Sequence, residues 1–135
     1  MNLLLIIFAF GLGFTVYSKI KKRELNKVAV GRKVLLTYAD HNDLIKTELP
    51  RTGIIQRMMK IGSKSDNFVI ILDDPMVFNN YSFNEVVVRE RILGSYIGSN
   101  KETGVHLLLP KQVGVKDRET WESFDHAAWL NIHLQ

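Results

Sequence analysis

Met1 to Tyr17 is an apolar run without a single charge, and Lys19, Lys21, Lys22 and Arg23 follow it directly. A segment that is hydrophobic all round has no polar face to turn to water, so it has to be covered on every side. Leu3–Tyr17 alone would rise about 22 Å as a helix, short of the ~30 Å hydrocarbon core of a bilayer. Residues 2–20 reach the lower end of the spanning range once the lysine stems snorkel to the head groups. The pattern predicts a single transmembrane helix over residues 1–20 and a basic juxtamembrane connector over 21–30. A cleaved signal peptide would need basic residues before the run and a small-x-small site after it; this junction has the reverse. Ala9 and Gly13 form a small-xxx-small pair, a candidate helix-packing face.

The basic residues also give the anchor a direction. Lys19, Lys21, Lys22 and Arg23 all lie on the C-terminal side of the run. The positive-inside rule then places the N-terminus outside and the remainder in the cytoplasm. The absence of cysteine agrees with a reducing compartment. The same four residues are the expected contacts to anionic lipid head groups.

The net charge of +4 invites a nucleic-acid reading, but its distribution argues otherwise. Residues 1–27 hold five Lys/Arg against Glu24, whereas residues 28–135 hold 13 basic and 13 acidic residues. The excess therefore belongs to the anchor, and the domain behind it is electrically neutral. Phosphate binding normally needs a basic surface.

Residues 31–135 are long enough for one domain with its own core. The chain reads as all-β, β-rich with minor α. Strands are expected over 33–39, 52–61, 67–73, 85–93 and 105–109, with a Gly-containing turn at 62–66 making a hairpin. Asp74-Pro75 is expected to stop the third strand, leaving 76–84 as an aromatic loop. Asp117 can cap a helix running to Leu130, with Trp121, Phe124 and Ala128 as its apolar stripe. Together these predict a small five-stranded barrel of SH3-like or OB-like kind with a C-terminal helix.

Candidate sites are few, and each has a structural reading beside it. Asp40, His41 and Asp43 could form a metal or acid–base cluster, yet D-H-N-D is ordinary turn composition. Asp73 and Asp74 would diverge on a strand. His106 falls on the face opposite Val105, Leu107 and Leu109, while His126 and His133 would share one helix face. Arg89 and Arg91, two apart on a strand, could grip a carboxylate or phosphate. Phe78, Tyr81 and Phe83 could anchor a partner or bury themselves over an open barrel end. Walker A, dinucleotide, HExxH and Gly-x-Ser-x-Gly signatures are absent.

The sequence thus points to a single-pass anchored interaction protein with no cofactor. Its domain would dock to a membrane protein or complex, as an accessory subunit or a small inhibitor or immunity-type binder. A tethered enzyme using His/Asp chemistry and a nucleic-acid-binding barrel are the alternatives.

Overall fold

Phe68-Val69-Ile70, Val86-Val87-Val88 and Leu107-Leu108-Leu109 are apolar at every position, the pattern of strands covered on both faces. The computed structural model describes residues 26–90, 97 and 102–135. The expected span 1–20, the first half of the connector, Ala9, Gly13, Lys19, Lys21, Lys22, Arg23 and Arg91 lie outside the described residues. Among the described residues, no helix is long and apolar enough to cross a membrane.

Among the described residues seven strands are formed: β1 Lys33–Asp40, β2 Arg51–Ile61, β3 Lys64–Phe78, β4 Tyr81–Glu90, β5 Glu102–Pro110, β6 Arg118–Glu119 and β7 Phe124–Leu134. They make one mixed sheet in the order β1-β7-β5-β4-β3-β2-β6. β1 returns to pair with β2 from Lys33–Ile54 to Leu36–Arg51. The sheet therefore closes partly into a ring, and it is not a true barrel.

Inside the ring, alternate residues make the main core. Val34 and Leu36 come from β1, Phe68 and Ile70 from β3, Val86 and Val88 from β4, Leu107 and Leu109 from β5, and Leu130 and Ile132 from β7. The intervening residues Val69, Val87 and Leu108 face outward and would be wet, but a second cluster with Met59, Ile61, Val115 and Phe124 covers them. The cover is the segment 111–123, a strap across the outer face. Its base is closed by Lys111 N–H donating to the Ser123 carbonyl at 2.9 Å. At its far end, β6 pairs in parallel with Lys60 and Ile61 of β2. Arg57 of β2 donates to the Val115 carbonyl and, at 3.2 Å, to the Asp117 carboxylate.

Three expectations are corrected. The helix from Asp117 to Leu130 is absent: β6, a 3-10 turn at Trp121–Ser123 and β7 occupy that stretch. Both edges of β7 are hydrogen-bonded, to β1 and to β5, and two long-range ladders outweigh one local capping signal. Ala128, Leu130 and Ile132 carry the period of two that this pairing uses.

Pro75, second, does not end its strand. The register of β3 against β4 shifts between Ile71 and Met76, so the proline sits in a bulge where no ladder donor is needed. Third, residues 76–84 are not a loop. Met76, Val77 and Phe78 pair with Phe83, Ser82 and Tyr81, around Asn79 (φ 50°) and Asn80 (φ 64°). Two successive positive φ angles make the primed turn that suits a tight hairpin. These changes also replace the five expected strands by seven.

Gly53 sits where the sheet leaves no room for a side chain. A Cβ there would lie 2.5 Å from the Ile71 carbonyl oxygen and 2.9 Å from the Ile70 side chain. Gly53→Ala should cost about 1–3 kcal/mol, read as a lowered midpoint in urea unfolding. Asn80→Gly, which relieves a left-handed position, should leave that midpoint unchanged or raise it.

Candidate functional site

The hairpin tip Met76–Phe83 lies beyond the last β2–β3 rung at Gly53–Leu72, and its two edges are treated differently. On the β3 side, Glu48 from the loop after β1 accepts the Val77 N–H at 3.0 Å. The same carboxylate binds Arg51 at 2.8 Å. That loop is held by a one-turn helix at Asp43–Lys46, which Asn42 caps through the Leu44 N–H and which buries Ile45. On the β4 side, among the described residues, the ladder to β5 runs only from Val87–Leu108 to Glu90–Val105.

A groove of about 520 Å³ opens along that second edge. Tyr81 to Glu85 line one side, Pro110 to Gly114 the other, and Asp125 completes it. Phe78 and Phe83 pack half-buried against the main core, whereas Tyr81 is 70% exposed. Of the three aromatics expected at a partner surface, Tyr81 is therefore the one on display. Val113 across the groove is fully exposed.

Arg89 packs over an aromatic ring of the strap. Its guanidinium lies 5.0 Å from the centre of the Trp121 ring, a cation–π contact. Asp73 accepts a hydrogen bond from the Thr52 hydroxyl at 2.6 Å. His133 is hydrogen-bonded to Thr37 at 3.2 Å, and His126 faces different partners.

Those partners form a cluster that sequence reading did not assemble. His106 and Trp129 are register partners on β5 and β7, with ring centroids 3.6 Å apart. The His106 Nδ1 and His126 Nε2 atoms are 2.9 Å apart, so one ring donates and the other accepts. His41, held at φ 78° at the end of β1, brings its ring 5.8 Å from Trp129. Residues 41, 106 and 126 have no telling sequence spacing; only the register of β5 on β7 brings the latter two together. Among the described residues, no group of three or more His, Asp or Glu is placed to hold a metal ion.

No family model, curated protein or solved structure matches this chain.

Packing against its neighbours desolvates part of the His126 ring and holds its pKa below the usual imidazole value of 6.5, with the positive form of His41 adding to the effect. A histidine with a lowered folded-state pKa binds its proton less readily than the unfolded chain does. Stability should then fall as pH drops through and below the usual value, and recover as pH rises. Thermal unfolding followed from about pH 8 to about pH 5 should show this loss, and His126→Gln should remove part of it.

Proposed function

We propose that this chain is a single-pass, membrane-anchored interaction protein whose β-rich domain docks to a membrane protein or complex. The observation that carries the reading is the division of charge: an uncharged apolar run, a basic flank, and a domain with 13 Lys/Arg against 13 Asp/Glu. Lys19, Lys21, Lys22 and Arg23 set the direction of the anchor and attract anionic head groups by about 1 kcal/mol each. The domain then stands at the cytoplasmic face, where confinement to the bilayer raises effective concentration and weak contacts suffice.

The display of Tyr81 beside an open groove supports docking over chemistry. Phe78 and Phe83 hold the tip in place from beneath, and Tyr81 offers a large amphipathic contact of the kind enriched at interface centres. Such a domain suits an accessory subunit or a small inhibitory binder.

Two measurements test the reading separately. Protease added to intact cells should spare residues 28–135; digestion from outside would reverse the orientation. Gentle detergent extraction followed by affinity capture should bring down a stoichiometric membrane-protein partner. Recovery of a bare monomer would overturn the docking reading whatever the topology.

A further inference from the structure

Residues 81–86 of β4 are paired with β3 but have no ladder partner on their other edge among the described residues. The reason is visible one step beyond the last rung. Continuing the ladder would set Val86 opposite Leu109 and Glu85 opposite Pro110, and proline has no N–H to give. β5 turns instead wholly to β7, pairing Leu109 with Asp125 and Pro110 with Phe124. Glu85 spans the gap with its side chain, accepting the Val115 N–H of the strap at 3.0 Å. With β5 turned to β7, the groove opens between the end of β5 and residues 81–85 of β4.

We infer that this groove accepts an extended polypeptide segment, which adds a strand to the free edge of β4 over Tyr81–Glu85. The free backbone edge asks for another backbone, since a strand is the ligand that supplies donors and acceptors at ladder spacing. On the opposite edge of the same tip Glu48 already takes the Val77 N–H, which leaves β4 as the accepting side. Tyr81, Phe83 and Val113 favour apolar side chains at alternate positions of the incoming strand. Glu85 and Asp125 line the groove against one cation, Lys111, whose ammonium is 3.8 Å from Asp125. The charge balance favours a strand bearing Lys or Arg. The ligand is thus an extended, alternately apolar segment with at least one basic residue, belonging to a partner protein. The inference deepens the docking reading above and rests on it.

The test is selection of linear peptides from a random library by the full chain in detergent micelles. Enriched peptides should alternate apolar residues and carry a basic one. Methylating their alternate backbone nitrogens should weaken binding about tenfold or more, because strand addition is a backbone interaction. Val113→Lys and Tyr81→Ser change exposed side chains and leave the fold intact; each should weaken binding by a similar factor. Bound peptide should also slow amide hydrogen exchange along residues 81–85. Failure to enrich any peptide over beads without protein, binding indifferent to N-methylation, or binding indifferent to both substitutions would overturn the strand site. If wild-type chain and Val113→Lys capture the same membrane partner equally well, docking stands and the strand site falls. If wild-type chain captures none, it is the docking reading that fails, and the peptide result alone decides the groove.

Discussion

Burial of the middle strands on both faces governs much of this architecture. Val69, Val87 and Leu108 line up across β3, β4 and β5 on the outside of the ring, where a two-layer β-fold would normally carry polar side chains. Exposed, they would make a contiguous apolar stripe of the kind that aggregates. The strap over residues 111–123 exists to cover them. Its mid-point, Val115, is fixed three ways: by its side chain in the cluster, by Glu85 at its N–H and by Arg57 at its carbonyl. To launch the strap, the chain must leave β5 at Pro110, and that departure ends the β4–β5 ladder.

The partial closure of the ring and the groove therefore share one cause. A fully closed barrel has every edge hydrogen-bonded, but this sheet uses its last β5 residues to hold β7 and to begin the cover. Among the described residues two short seams result, one between β1 and β2 and one between β4 and β5. The first is lengthened by backbone bonds between Gly31, Arg32 and Ile55. The second is left open at the hairpin tip. Asn67, wholly buried, strengthens the β2–β3 hairpin by donating to the Met59 and Lys64 carbonyls, so the opening is confined to the other end of β3.

Much of β1 to β5 was legible because strongly apolar runs mark strands whichever partner they find. The boundaries that failed were set by partners distant in sequence. Pro75 reads as a terminator until the bulge opposite it is known, and Asn79-Asn80 reads as loop composition although the pair is a primed turn. The C-terminal error was larger. Asp117, Glu119 and Trp121-Phe124-Ala128 are sound helix signals taken locally, yet Asp117 is occupied by Arg57 and β7 is claimed on both edges. Of the site, Tyr81 could be seen from its type and neighbours. The groove beside it could not, since it depends on where a ladder stops; nor could the His106–His126 pair, which exists only through register.

The double pairing of β1 has a consequence for how the molecule is made. Thr37 on β1 and His133 on β7 touch across 96 positions of sequence, close to the greatest separation this domain allows. Contacts of that reach are slow to form, because the loop between them must be closed before they reward it. On a ribosome, β1 emerges directly after the basic stretch and can meet β2 early, but its other edge stays bare until β7 has been synthesised. During that interval Val34 and Leu36 have an incomplete core around them. The last strand of the sheet thus seals one of the first, and the nascent chain carries an open β edge from the synthesis of β2 until that of β7.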